Sequence, residues 1–182
     1  MISHSGTVLA VDDNATIRKA ISMRLGAKGY RVVTAEDGEK ALHLVEKDKF
    51  DLVLLDLQLP GINGDLVLEK LRQNYSEAEL PVIMLAASND KKDITRAIEA
   101  GANDYVTKPG DLPILLARIK TQLSLKRAAE QLREHTAGMT GINESAKAIS
   151  KTLDHYASAR VHEELLGDLD QTNEFRYHVI YD

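Results

Sequence analysis

Several kinds of residue are missing or scarce in this sequence, and each absence excludes a class of chemistry. The chain of 182 residues has no cysteine, which excludes disulfide bonds, thiolate zinc sites and a cysteine nucleophile. It has no tryptophan and only 4 % aromatic residues, which disfavours a surface on which bases or sugars stack. Positive charge is not in excess either. The formal net charge is −5, so we expect no direct binding of nucleic acid.

Long hydrophobic runs are also absent. The longest apolar stretches, such as VLLDLQL at 53–59, are short and interrupted, whereas a membrane-spanning helix needs about 20 apolar residues. The first residues, MISHSGTVLAVDD, lack the basic and apolar regions of a secretory signal. With 43 % hydrophobic and 28 % charged residues, the chain has an ordinary globular composition. We therefore expect a cytoplasmic protein that does not contact the membrane.

Short apolar runs alternate with amphipathic segments through about two-thirds of the chain. Strands are predicted at 7–11, 30–34, 51–55, 81–85 and 103–107. A helix is predicted after each strand; in the first of them Ile17, Ile21 and Leu25 recur at helical spacing. The last helix is predicted to start near Asp111 and to continue to about His135. Five such units predict an α/β fold, a doubly wound parallel sheet with helices on both faces.

In such a sheet, ligands bind outside the carboxyl ends of the strands. Asp12 and Asp13 follow the first strand, Asp56 ends the third, and Lys108 follows the fifth. Three clustered carboxylates repel one another unless they are protonated or bound to a cation. Hard oxygen ligands favour Mg²⁺, and an open metal site beside a lysine suits a phosphoryl group. The sequence therefore predicts a magnesium-dependent phosphoryl-handling site.

Some of these residues have a purely structural alternative. Asp13 or Asn14 could cap the first helix, because Asp and Asn are favoured at that position. Gly61 and Gly64 are better explained by turn geometry than by chemistry. A purely structural role is disfavoured for Asp56, because a buried carboxylate without a partner is costly.

Three motifs resemble the receiver domain of two-component response regulators. They are VLAVDDN at 8–14, DLVLLDLQLPGING at 51–64 and GANDYVTKP at 101–109, and the resemblance covers about residues 6–125. It implies a flavodoxin-like (βα)₅ fold with strand order 2-1-3-4-5.

The resemblance also implies a role for each matching residue. Asp56 is expected to be the phosphoacceptor, and Lys108 is expected to pair with the phosphoryl group after transfer. Asp12, Asp13, Asp56 and the backbone carbonyl of Gln58 are the expected Mg²⁺ ligands. Asp56 is expected to be ionised near neutral pH, because the metal and the lysine favour its charged form.

One position departs from the family pattern. Ala86 stands where the family usually has Thr or Ser, whose hydroxyl donates to the phosphoryl group; such a bond is worth about 1.5–3 kcal/mol. Ala87 and Ser88 follow as the expected phosphate loop, and the Ser88 hydroxyl is a partial substitute. Tyr105 occupies the family's switch position. Because Ala86 leaves more space, we expect Tyr105 to point inward even without phosphate, in an active-like packing.

The last third of the chain has a different pattern from the strands and helices that precede it. We expect a receiver domain at 1–125, followed at 126–182 by a helical extension or linker, or by the start of a truncated output domain. In this extension the apolar residues recur at spacings of four and three: Ile142, Ala146, Ile149, Leu153 and Tyr156. This stripe predicts either a helix that packs back on the receiver or on the preceding helix, or a helical pair that forms a homodimer.

The predicted function is a two-component response regulator. A sensor histidine kinase or a phosphotransfer protein phosphorylates Asp56, and the last receiver helix relays the change to the C-terminal region. We expect no enzyme activity beyond self-phosphorylation and autodephosphorylation. Two alternatives stay open: the regulatory N-terminal part of a larger signalling enzyme, and a degenerate receiver that acts as a docking module.

Overall fold

Five strands alternate with five helices in the part of the chain that the structure, a computed structural model, describes: residues 5–87, 91–108, 112–137 and 150–151. The strands are β1 Thr7–Val11, β2 Arg31–Ala35, β3 Leu52–Asp56, β4 Val82–Ala86 and β5 Asp104–Thr107. The helices are α1 Ala15–Gly26, α2 Gly38–Lys47, α3 Gly64–Asn74, α4 Lys91–Glu99 and α5 Leu112–Ala137. None of the helices described is long and apolar enough to cross a membrane.

The five strands form one parallel sheet in the order β2-β1-β3-β4-β5, which confirms the predicted fold class. The chain moves outward from β1 to β2 in one direction and from β3 to β5 in the other. The order therefore reverses between β1 and β3, and the crevice at their carboxyl ends is where ligands bind in such sheets. Val11 is level with Leu55 in the register of these two strands, so Asp12 and Asp56 come next to each other.

Apolar side chains cover both faces of the sheet, as the apolar central strands require. On one face, residues such as Val11, Leu55 and Met84 pack against α2, α3 and α4. On the other face, Val8, Leu54 and other strand residues pack against Leu25 of α1 and against Leu115, Ile119 and Leu123 of α5. Residues of β3 and β4 are buried throughout.

Strands β2, β3 and β4 begin and end one residue later than the sequence pattern predicts, and β5 begins one residue later. At the start of β4, Pro81 has no N–H to give, and its carbonyl accepts from Val53 at 2.9 Å. The shift places Asp56 and Ala86 inside the hydrogen-bonded ladder, level with Leu85 and Thr107. The backbone of the predicted phosphoacceptor is therefore held by the sheet itself.

Asn14, and not Asp13, caps helix α1. The Asn14 side chain accepts from the backbone N–H groups of Thr16 and Ile17, at 2.9 and 3.3 Å. This bonding satisfies two of the N–H groups that a helix leaves without a partner in its first turn. The capping alternative therefore does not apply to Asp13, whose carboxylate is left for other contacts.

Helix α5 continues past residue 125 without a break and stays in contact with the segments that precede β1 and β3. Its 26 residues give a length of about 39 Å at 1.5 Å per residue. Lys126 is buried and donates to the carbonyl of Phe50 at 3.2 Å and to Asp51 at 3.3 Å, and Arg127 donates to the carbonyl of Ser5 at 2.6 Å. The division between residues 125 and 126 stays a prediction. The apolar stripe from Ile142 to Tyr156 lies outside the described residues.

Candidate functional site

Three carboxylates meet at the carboxyl edge of the sheet, at the reversal point. Asp12 follows β1, Asp56 is the last residue of β3, and Asp13 is the next residue after Asp12. One oxygen of each lies within 4.8 Å of the others. Asp12 and Asp56 are buried, at 0 % and 5 % exposure, whereas Asp13 is exposed. The structure thus brings together the three acids that the sequence pattern selects.

Lys108 joins two of these acids. Its ammonium nitrogen Nζ lies 2.5 Å from Oδ2 of Asp12 and 2.7 Å from Oδ2 of Asp56. Its backbone N–H donates to the carbonyl of Ala86 at 2.7 Å, so the residue is fixed to the end of β4. One ammonium group, from the residue that follows the edge strand β5, therefore bridges the two buried carboxylates.

Backbone N–H groups bond to the other oxygen of the same two carboxylates. The N–H of Asn14 donates to Oδ1 of Asp12 at 2.9 Å, and that of Gln58 donates to Oδ1 of Asp56 at 3.2 Å. No hydrogen bond within the described part of the chain ends on the carboxylate of Asp13. Gln58 thus contacts Asp56 through its N–H group. The proposed metal-binding role of its carbonyl stays a prediction.

Burial raises the pKa of Asp56 above its ordinary value. The hydrogen bond and charge of Lys108 act in the opposite direction, as does the N–H of Gln58, while the negative charge of Asp12 adds to the increase. The effect of burial on the pKa of Asp56 is therefore larger than the opposing effect of Lys108. A cation bound at the cluster would act with Lys108 to favour the charged form of Asp56.

The donor set fits a divalent, oxygen-preferring cation such as Mg²⁺. Three carboxylates and one ammonium group leave the cluster with a formal charge of −2, which one divalent ion balances. Every side-chain ligand in the cluster is a hard carboxylate oxygen, as Mg²⁺ prefers. Asp12, Asp13 and Asp56 are the residues that would hold it.

The other predicted site residues lie around this cluster. Ala86 is buried at the end of β4, and Ala87 is exposed just beyond it. Ser88, the third residue of the predicted phosphate loop, lies outside the described residues. Tyr105 is 2 % exposed and belongs to the same apolar cluster as Ala86, so its ring points inward; that the space left by Ala86 is the cause stays a prediction.

Gly64 allows helix α3 to start directly against the backbone of Asp56. A β-carbon at this position would lie 2.9 Å from Cα of Leu57 and would overlap the carbonyl oxygen of Asp56. The N–H of Gly64 donates to the carbonyl of Leu57 at 2.9 Å. Gly61, in the same turn, has φ +75°, a conformation that favours glycine. These glycines thus serve turn geometry, as predicted.

Arg18 is a contact of the acidic loop that the sequence analysis missed. Its Nη1 donates to the backbone carbonyl of Asp12 at 2.7 Å and to that of Asp13 at 2.9 Å. The only signal in the sequence is a basic residue near the start of α1, which is common on helix surfaces. Pattern analysis cannot distinguish this arginine from a solvated one.

The sequence profile of the response regulator receiver domain family matches residues 8–120. A probable transcriptional regulator, ycf27, from Guillardia theta is 41 % identical over 137 residues, which are 75 % of this chain and 53 % of that protein. The transcriptional regulatory protein AfsQ1 from Streptomyces coelicolor is 37 % identical over 145 residues, which are 80 % of this chain and 63 % of that protein. The chain thus spans between half and two thirds of the length of these two relatives.

Solved structures resemble the described domain. The crystal structure of a putative response regulator from Chloroflexus aurantiacus matches with a TM-score of 0.62 and 36 % identity, over 65 % of this chain and 98 % of that one. The beryllofluoride-activated DrrB receiver domain matches with a TM-score of 0.59 and 35 % identity, over 65 % and 97 % of the two chains.

The contact between Gly64 and Asp56 predicts a large cost for adding one methyl group. Gly64→Ala is expected to lower the free energy of unfolding by about 1–3 kcal/mol, because α3 must move away from the Asp56 backbone. The matched control is Gly26→Ala, since a β-carbon on Gly26 meets nothing within 4 Å. Urea denaturation followed by circular dichroism measures both. Equal stability of the two variants would contradict the steric explanation.

The raised pKa of Asp56 predicts a pH-dependent effect of Asp56→Asn in the presence of a chelator. Burial opposes the ionised carboxylate, so near neutral pH the variant is expected to be more stable than the wild type. As the pH falls towards 3.8, the ordinary pKa, the wild-type carboxyl is protonated and the difference narrows. Thermal denaturation across this range measures it, with the exposed Glu46→Gln as the control. A wild type that is the more stable protein near neutral pH would contradict the assignment.

Proposed function

The chain belongs to the response regulator receiver domain family, and on this premise we propose that Asp56 accepts a phosphoryl group from a histidine kinase or a phosphotransfer protein. The observation that carries this proposal is the acidic cluster itself. A buried carboxylate lies 2.7 Å from a lysine and close to two further acids. Receiver domains bind Mg²⁺ in such a pocket, and we propose that this chain does so too.

In the proposed reaction, a carboxylate oxygen of Asp56 attacks the phosphorus atom and forms an acyl phosphate, while the bond to the donor's imidazole nitrogen breaks. Phosphoryl transfer needs little covalent help, and positioning with charge neutralisation carries most of the rate. Lys108 is placed to stabilise the negative charge on the phosphoryl oxygens. Mg²⁺, which Asp12, Asp13 and Asp56 would hold, would supply further positive charge to stabilise the transferred group.

Contacts between β4, β5 and α5 support a relay from the site to the last helix. Lys108 is tied to the Ala86 carbonyl at the end of β4. Strand β5 is tied to α5 by the ion pair between Asp104 and Arg118 at 2.6 Å, and Gln122 of α5 donates to the carbonyl of Asn103 at 3.3 Å. We propose that a change at Lys108 reaches the C-terminal region along this route.

Ala86 and Tyr105 bear on how strongly phosphorylation drives that relay. Alanine cannot donate to the phosphoryl group, so one contact that would pull the loop inward is missing. The Tyr105 ring is already buried, which is the position that we associate with the active-like packing. We propose that this receiver is biased towards its active-like state before phosphorylation.

A groove next to the acidic cluster suits the approach of a phosphodonor protein. It has a volume of about 520 Å³ and runs between α1 and α5. It is lined by Ile17 and Ile21 of α1, by Leu115 of α5, and by Ala87 and Lys108, which follow β4 and β5. A donor that carries its phosphoryl group to Asp56 must contact this edge of the sheet. We propose that the kinase or phosphotransfer protein docks here.

The names of the relatives bear on the output that this chain controls. The two relatives described above are named as transcriptional regulators and extend beyond the matched region. We propose that this chain is a cytoplasmic switch that forms a dimer. We also propose that it has no separate enzymatic substrate and that its described domain does not itself bind nucleic acid. A regulatory role within a larger signalling enzyme remains the alternative.

The proposed function predicts a labile phosphoryl adduct on Asp56. Intact-mass spectrometry after incubation with acetyl phosphate and Mg²⁺ should show a mass increase of one phosphoryl group. The adduct should be absent in Asp56→Asn and in a sample treated with a chelator. Folded wild-type protein that binds Mg²⁺ and forms no adduct would contradict the proposal and favour the docking-module alternative.

The missing hydroxyl predicts a gain of affinity from Ala86→Ser. One added donor to a charged phosphoryl analogue is worth about 1.5–3 kcal/mol, which corresponds to roughly 10–150-fold tighter binding of beryllofluoride with Mg²⁺. Ala97→Ser in α4, which is also buried, is the matched control and should not improve binding. Isothermal titration calorimetry measures both variants. Unchanged affinity in Ala86→Ser would show that another group, such as Ser88, already supplies the contact.

A further inference from the structure

Arg18 makes an unusual pair of contacts with the acidic loop. A single guanidinium nitrogen, Nη1, donates to two consecutive backbone carbonyls, those of Asp12 at 2.7 Å and Asp13 at 2.9 Å. The residue is half-buried and is the fourth residue of α1. It therefore fixes the orientation of the two peptide planes that follow the two acids.

These peptide planes matter most for Asp13. The carboxylate of Asp12 is held by Lys108 and by the N–H of Asn14. The carboxylate of Asp13 has no such hydrogen bond in the described part of the chain, and it is exposed. Its direction is thus set by the backbone from which it projects. In the described part of the chain, Arg18 bonds to that backbone at the carbonyls of Asp12 and Asp13, and the Asp12 carboxylate bonds to it at the N–H of Asn14.

We propose that Arg18 is a positioning residue for the magnesium site. Arg18 holds the Asp12–Asp13 backbone so that the Asp13 carboxylate faces Asp12 and Asp56. The inference rests on the proposed function, since it concerns the affinity of the same acidic cluster for Mg²⁺. Among the described residues, Arg18 makes no hydrogen bond or ion pair with these three carboxylates, and we infer that it acts through the loop.

The sign of the effect separates positioning from simple electrostatics. Arg18 carries a positive charge near a cation site, and removing a nearby positive charge by itself strengthens cation binding. Loss of the two hydrogen bonds through which Arg18 orients Asp13, a metal-binding residue, weakens cation binding. A weaker affinity in the variant therefore cannot come from the change of charge.

The experiment is isothermal titration calorimetry of Mg²⁺ with the full chain. Arg18→Ala is expected to bind Mg²⁺ about 10-fold more weakly than the wild type, the effect of about one to two hydrogen bonds. Arg18→Lys, whose ammonium group can still donate to the carbonyls, should recover part of the affinity. Lys19→Ala removes the same charge from an exposed neighbour on α1 and should not weaken binding.

Phosphorylation by acetyl phosphate gives a second readout. At low Mg²⁺ the rate in Arg18→Ala should fall, and at saturating Mg²⁺ it should return to the wild-type rate. Wild-type or tighter Mg²⁺ affinity in Arg18→Ala would overturn the inference and leave the proposed function intact. A wild type that does not bind Mg²⁺ would overturn both. If Arg18→Ala does not fold, Arg18→Lys decides: Mg²⁺ affinity below wild type, with a phosphorylation rate that falls at low Mg²⁺ and returns at saturating Mg²⁺, supports positioning, and affinity at or above wild type contradicts it.

Discussion

The bridge that Lys108 makes between Asp12 and Asp56 is the interaction on which the rest of the site depends. Both carboxylates are buried, and burying an ionised group without a partner is costly. The lysine lowers that cost, but the pKa of Asp56 is still raised, because burial has the larger effect. With three carboxylates and one ammonium group, the cluster has an excess of negative charge that a divalent cation can balance.

The parallel sheet is what makes this bridge possible. Asp12 and Asp56 come from neighbouring strands at the point where the strand order reverses, and Lys108 comes from the edge strand and reaches across β4. Gly64 brings α3 against the Asp56 backbone, and Arg18 holds the backbone of the acidic loop. The edge at which we propose phosphoryl transfer is thus connected through Lys108 and β5 to the long helix α5.

Much of this arrangement is predictable from the sequence because it depends on periodic patterns. Apolar runs locate the strands to within one residue, and the fold then places Asp12, Asp13, Asp56 and Lys108 at one edge. Arg18 and Lys126 could not be found this way. Their partners are backbone carbonyls and a carboxylate brought close by folding, and a lysine or arginine on a helix has the same pattern whether it is solvated or buried. The direction of the Asp56 pKa is also unpredictable from sequence, since it depends on the balance between burial and one ion pair.

The most direct test of this account is the pKa of Asp56 itself, measured by carbon NMR of the side-chain carboxyl groups with and without Mg²⁺. Without Mg²⁺ the Asp56 carboxyl should titrate above 3.8, its ordinary value, because burial outweighs Lys108. With Mg²⁺ bound, its pKa should fall, and the signals of Asp12 and Asp13 should shift with it. An Asp56 carboxyl that titrates at its ordinary pKa and does not respond to Mg²⁺ would contradict the claim that this cluster is a buried site completed by a cation.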